Sequence, residues 1–249
     1  MDPITRFSSL VRHGLRFRSR FELAKSQSAP DGFAWYPYDS FTNLFQFEQM
    51  RRASGLALAD MIGDRPLLDL GTGDGALAFF FESQGYSVHA CDYSGTNINR
   101  MEGVRRVAVA LNSRVEIEDI DLDNGWTPAR DYGLALFLGT LYHLKNPFAA
   151  LERLSKHARY CFLSTRVAGW SPDRTVELGR VPAAYLLAPD ECNGDTTNYW
   201  VFSVPGLTRL AERCGWRVQA SLRTGARESD PATEAGDERQ FLLLESSRR

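Results

Sequence analysis

The sequence predicts an open α/β fold: a seven-stranded, mostly parallel sheet with its last strand antiparallel, flanked by helices and preceded by a helical, aromatic extension. Three observations carry that expectation. Short apolar runs alternate with helical segments from Pro66 to Ser164, the pattern of consecutive βαβ units. A glycine-rich turn, Asp69 to Ala76, joins the first apolar run to the first helical segment. Residues 225–240 carry no apolar helical stripe, so no helical crossover is expected before the final run Phe241–Leu244, which is expected to lie antiparallel.

Residues 1–30 hold Arg6, Arg12, Arg16, Arg18, Arg20 and Lys25 against Asp2 and Glu22, and His13 lies among them. Leu10, Val11, Leu15, Phe17 and Phe21 recur at loosely helical spacing. That pattern predicts an amphipathic helix packed on the domain with its arginines in water. A basic arm for RNA or phosphate, an organelle transit segment and a membrane-surface helix share it. An aromatic stretch follows: Phe33, Trp35, Tyr36, Tyr38, Phe41, Phe45 and Phe47. Pro37 disfavours helix, so the stretch begins as an ordered loop. A helix is expected over 41–61, with Leu44, Phe47, Met50 and Leu56 on one face. The aromatics read either as cover for an open sheet edge or as a lid over a ligand.

Strands are expected at 66–70, 86–91, 115–117, 133–139, 160–164, 216–222 and 241–244, and helices at 76–84, 97–111, 148–157 and 207–214. His89 falls inside the second strand as a core residue, and His157 ends a helix. Residues 166–202 form an insertion with few apolar runs. Residues 225–240, rich in Ala, Glu, Asp and Gly, read as a mobile loop.

Composition excludes several classes. Apolar residues are 43% and charged residues 24%, as in globular proteins, so neither a disordered chain nor a coiled coil fits. The 29 basic and 31 acidic side chains leave a net charge of -2, without the cationic surface of a dedicated nucleic-acid binder. No apolar run is long enough to span a membrane. Cys91, Cys161, Cys192 and Cys214 show no C-x-x-C spacing, so neither a zinc site nor a disulfide framework is expected, and a cytoplasmic location is.

The densest chemical signal is D-L-G-T-G-D-G-A, Asp69 to Ala76. Gly71 permits a tight turn, Gly73 lets backbone approach a ligand, and Gly75 opens the helix. Asp92, at the end of the second strand, is placed to accept both hydroxyls of an adenosine ribose. The loop also fits the dinucleotide fingerprint, which keeps a nicotinamide oxidoreductase as an alternative. Asp69 argues against it: a carboxylate there repels pyrophosphate and suits a cationic amine and sulfonium. Charge sign therefore favours S-adenosylmethionine.

L-D-L-G-T-G-D-G resembles motif I of the class I S-adenosylmethionine-dependent methyltransferases, whose fold is Rossmann-like, and Cys91-Asp92-Tyr93 resembles their acidic post-motif. The resemblance covers Leu67 to Leu163. It implies that Asp69 anchors the methionine amino group, that Gly71 and Gly73 lie under methionine and ribose, and that Tyr93 packs on adenine. Asp121-Leu122 resembles the adenine-edge pair, with Asp119 an equally placed candidate. Thr72, Gly75 and Gly139 complete the implied cofactor set. Phe137 to Pro147, F-L-G-T-L-Y-H-L-K-N-P, is similar to the branch that contains the bacterial wobble-uridine methyltransferases of tRNA, as is Asn198-Tyr199-Trp200. This chain has Gly133, with Asp131 two places earlier, where that family has an Asp at the start of the fourth strand.

Methyl transfer is an in-line displacement whose rate comes largely from alignment. His143, just after the fourth strand, is the candidate base, and Tyr142 lines the site; a capping or packing role is the alternative for each. Asp195, Asn198, Tyr199 and Trp200 fall in the insertion, where an acceptor is expected to bind. The division expected is an extension or lid over 1–65 and a cofactor-binding domain over 66–249 with its insertion at 166–202. The acceptor expected is a small molecule. A tRNA base is the alternative, and a non-catalytic S-adenosylmethionine-binding or scaffold protein a further one.

Overall fold

In the computed structural model, residues 8–226, 228–232 and 237–248 are described. Asp2 and Arg6 of the basic arm, and 227 and 233–236 of the acidic loop, lie outside the described residues. The chain divides into two compact units, Met1–Asp121 and Leu122–Arg249.

The first unit opens with helix α1 (Ser9–Ser28), capped by Ser8, whose Oγ accepts the Val11 N–H at 3.3 Å. Its buried stripe is Leu10, Val11, Phe17, Phe21 and Ala24, while Arg16, Arg18 and Arg20 face solvent. Phe17 and Phe21 pack on Phe41 at ring-centroid distances of 6.3 and 5.8 Å, and Phe17 reaches Phe80 at 6.0 Å. Each buried phenylalanine contributes about 1.5–3 kcal/mol, so α1 is held as a packed amphipathic helix.

The helix expected over 41–61 is instead three pieces. A 3-10 turn (Ser40–Thr42) leads into α2 (Asn43–Ala53), and α3 (Leu58–Ile62) follows separately. Gly55 is the cause: at φ +67° it ends α2, with its N–H on the Arg52 carbonyl and the Leu56 N–H on that of Arg51. Leu44, Phe47 and Met50 share a buried face, but Leu56 falls outside both helices.

Next come β1 (Leu67–Leu70), α4 (Ala76–Ser83), β2 (Val88–Asp92), α5 (Glu102–Leu111) and β3 (Glu116–Asp119). Helix α5 begins five residues later than expected. Arg100 and Met101 are both left-handed, and the Asn97 carboxamide oxygen accepts from the Asn99 and Met101 N–H groups, which holds 97–101 as a turn.

The second unit contains β4 (Tyr132–Leu138), α6 (Pro147–His157), β5 (Ala158–Arg166), α7 (Val204–Arg213), β8 (Trp216–Thr224) and β9 (Arg239–Ser246). The insertion adds two strands that sequence periodicity missed, β6 (Ala184–Leu186) and β7 (Trp200–Phe202), which pair antiparallel. At three residues each they are too short to show alternation.

The main sheet has the order β3-β2-β1-β4-β5-β9-β8. β1 pairs parallel with β2, β2 with β3, and β4 with β5; β9 runs antiparallel to β5 and β8. This is the expected seven-stranded Rossmann-like sheet with an antiparallel last strand. Part of the 225–240 segment is pinned. Ser229 is buried with its hydroxyl 2.9 Å from Glu238, and Glu238 pairs with Arg223. Among the described residues, no helix is long and apolar enough to cross a membrane.

Candidate functional site

In the first unit, β1 carries Asp69 into the turn formed by Gly71, Thr72, Gly73 and Gly75. The Gly71 and Thr72 N–H groups both donate to the Cys91 carbonyl, at 2.8 and 3.1 Å, which moors the turn to β2. Asp69 is buried and accepts the Thr72 hydroxyl at 2.7 Å; burial pushes its carboxyl up to about 6. Thr72 therefore acts through Asp69. Asp92 accepts the Gly73 N–H on one oxygen and its neighbour's, that of Tyr93, on the other, each at 2.8 Å. Burial raises its pKa, and those two N–H groups oppose the rise. Tyr93 is 40% exposed, leaving a ring face for an aromatic partner. Of the two adenine-edge candidates, Asp119 is engaged by the Ser94 N–H at 2.9 Å, and Asp121 is half-buried.

This donor set fits S-adenosylmethionine. Two largely buried carboxylates beside a glycine turn offer one seat for a cationic amine and one for ribose hydroxyls, and the Asp69 charge, at the turn itself, opposes a pyrophosphate.

Sequence reasoning missed the residues that clasp this turn. Asp74, an unassigned position within the glycine motif, is buried and accepts the Tyr36 N–H and the Asn99 amide, each at 2.8 Å. Lys25 of α1 reaches the same carboxylate at 3.3 Å, with its ammonium 4.9 Å from the Trp35 ring centroid. Asn99 also donates to the Ala34 carbonyl at 3.1 Å. The Tyr36 ring lies 3.4 Å from where a Cβ on Gly73 would stand, so this glycine accommodates the aromatic segment as well as its own turn (φ +60°). The only available signal was the unusual acid inside a glycine loop. Replacing Lys25 by methionine removes the lysine cation from the buried Asp74 carboxylate and leaves it the neutral Tyr36 and Asn99 donors, and the expected loss is about 3 kcal/mol of unfolding free energy by chemical denaturation. A loss below about 1 kcal/mol, the value of an exposed pair, removes Lys25 from the clasp.

In the second unit, Gly139 ends β4 in the left-handed region, and its N–H donates to the Ser164 carbonyl at 3.0 Å. Leu122, at the start of this unit, is buried. Tyr142 and His143 occupy a 3-10 turn (Leu141–His143), with ring centroids 4.2 Å apart. His143 Nδ1 lies 3.0 Å from the Thr197 hydroxyl and 3.2 Å from its carbonyl. The Thr197 hydroxyl donates to Asp195 at 2.6 Å, so both Thr197 oxygens face Nδ1 as acceptors. The network thus assigns the proton to Nδ1 and leaves Nε2 with its lone pair. Burial lowers the His143 pKa, and the Asp195 charge works the other way.

The insertion docks on this turn. The Tyr199 N–H donates to the Tyr142 carbonyl at 2.9 Å and the Trp200 indole to the Lys145 carbonyl at 3.4 Å. Asn198 is buried and instead holds the Cys192 carbonyl at 3.1 Å. Thr197 and Arg239 were not anticipated. The Arg239 guanidinium lies 5.9 Å from the Tyr142 ring centroid and pairs with Asp237 at 3.0 Å.

A Rossmann-like sheet whose first strand ends in an acidic glycine turn, with a carboxylate closing the next strand, is a site for an adenosine-containing ligand, and the class it belongs to is that of the S-adenosylmethionine-dependent methyltransferases. The model of the family described as "Methyltransferase domain" matches residues 29–221, and the chain belongs to that family. Among solved structures, the N-terminal domain of EvdMO1 with SAH bound is 19% identical with a TM-score of 0.54, over 97% of this chain and 100% of that one. Against the full EvdMO1 structure the match spans 48% of that chain. An S-adenosylmethionine-dependent methyltransferase from Clostridium acetobutylicum ATCC 824 is 10% identical with a TM-score of 0.53, over 93% and 98% of the two chains. The cyclase SpnF is 11% identical with a TM-score of 0.56, over 96% and 97%. At such identities these structures show the shared fold alone. No curated protein gives a match.

Proposed function

We propose that the chain methylates a small-molecule acceptor, with His143 as general base and Tyr142 lining the acceptor site. The observation that carries this reading is the Asp195–Thr197–His143 chain, which leaves His143 Nε2 unprotonated. Bound S-adenosylmethionine supplies an electrophilic methyl group on a sulfonium. His143 takes the proton that the acceptor's O–H or N–H loses, and Asp195 stabilises the imidazolium through Thr197. Asp69 holds the methionine ammonium, Asp92 the ribose, and Tyr93, Asp121 and Leu122 the adenine. Gly71, Gly73, Gly75 and Gly139 keep the backbone close.

A lid role for residues 1–65 is supported by the clasp of Lys25, Trp35 and Tyr36 on Asp74. A tRNA acceptor is the second reading, favoured by the solvent-facing Arg16, Arg18 and Arg20 of α1. Methyl-labelled cofactor, incubated with the protein and a cytosolic extract, separates the two. Label is expected in the low-mass fraction, and label confined to tRNA overturns the small-molecule reading.

Asp69 adds a pH signature. Its carboxyl titrates at about 6 in the free protein, so it is charged above that pH and neutral below it. Cofactor affinity is expected to be flat above pH 7 and to fall by up to about tenfold per pH unit below about 6. Titration calorimetry across that range checks this. An affinity constant down to about pH 5 removes Asp69 as the ammonium anchor.

A further inference from the structure

We propose that His89, Cys91 and Glu118 form a binding site for a borderline-soft divalent cation of the Zn²⁺ type. His89 and Cys91 lie two apart on β2, so both side chains leave the same face of the sheet. Glu118 stands beside Cys91 in the β2–β3 register. The His89 Nε2 is 3.0 Å from the Glu118 carboxylate and 3.4 Å from the Cys91 sulfur, and all three donor atoms lie within 4.8 Å of one another. Tetrahedral zinc, with bonds of about 2.0–2.3 Å, separates its ligands by about 3.3–3.8 Å. The trio is therefore close to the spacing that a bound ion imposes.

The surroundings favour a cation. His89 and Cys91 are buried, and Glu116, Asp92 and Asp69 add negative potential at the thiol beyond that of Glu118. On binding a divalent ion the thiol gives up its proton to solvent. Glu118, with its side chain 51% exposed, supplies the open side through which an ion and a fourth ligand, water, enter. Cysteine spacing alone missed this trio because its third donor comes from a neighbouring strand. The Cys91 carbonyl also receives the Gly71 and Thr72 N–H groups, so an ion here braces the strand on which the glycine turn is moored.

The test is titration of the untagged, chelator-stripped full chain with Co²⁺, followed by optical absorption. The expected result is a saturable thiolate-to-cobalt charge-transfer band, bleached by added Zn²⁺. It is lost in Cys91→Ser and kept in Cys192→Ser. Glu118→Gln, at a half-exposed position the fold tolerates, is expected to weaken Co²⁺ affinity at least about tenfold. No band at millimolar Co²⁺, a band that survives Cys91→Ser, or an affinity unchanged in Glu118→Gln overturns the proposal.

Discussion

Replacing His143 by glutamine is expected to lower kcat by about 10²–10⁴-fold while leaving cofactor affinity unchanged, the loss typical of removing a positioned base. Glutamine keeps a polar side chain of similar reach, so the nearby backbone loses little. The prediction follows from proton placement. Thr197 donates to Asp195 and therefore accepts from Nδ1, which leaves Nε2 as the basic nitrogen. Thr197→Val removes the hydroxyl link to Asp195 but keeps the backbone carbonyl that faces Nδ1, so it is expected to cost less than His143→Gln. The pH profile carries the same signature. Burial lowers the His143 pKa, so the neutral base persists to more acidic pH than an ordinary imidazole allows. Activity is expected to fall only below the usual histidine range. These rates are measured on the acceptor fraction that takes up the label. Undiminished turnover in His143→Gln assigns the ring to packing against Tyr142 instead.

Asp92→Ala is expected to weaken cofactor binding about 100-fold, roughly 2.7 kcal/mol, with the fold retained. Two effects add. The ribose hydroxyls lose a charged acceptor, and the Gly73 and Tyr93 N–H groups lose theirs, which loosens the turn under the ligand. Asp92 is the last residue of β2 and pairs with Asp119 of β3 through backbone alone, which alanine keeps. Calorimetry reads the affinity and circular dichroism the fold. An affinity within about threefold of the unaltered protein places the ribose elsewhere.

The sheet was legible in the sequence because its central strands β1, β4, β5 and β9 are short apolar runs, while β8 alternates along its length. Its polarity was legible because no helical stripe precedes β9. What failed was local. Gly55 and the left-handed pair Arg100–Met101 break helices whose apolar spacing continues through them, and periodicity does not report φ. β6 and β7 are too short to alternate. The glycine turn and Asp92 could be read from spacing because both belong to one strand–turn–helix–strand unit. The partners of His143 could not, since Asp195 and Thr197 lie more than fifty residues away, in an insertion with no pattern of its own. The same limit hid the Lys25–Asp74 pair, which joins the first helix to the glycine motif across 49 positions.

The most direct test of the account is titration calorimetry of the full chain with S-adenosylmethionine, S-adenosylhomocysteine and NAD. Asp69 sets a negative charge beside the glycine turn, so S-adenosylmethionine and S-adenosylhomocysteine, which both carry a cationic amine, are expected to bind and NAD is not. Tight NAD binding with no heat from the other two would contradict the assignment of the site.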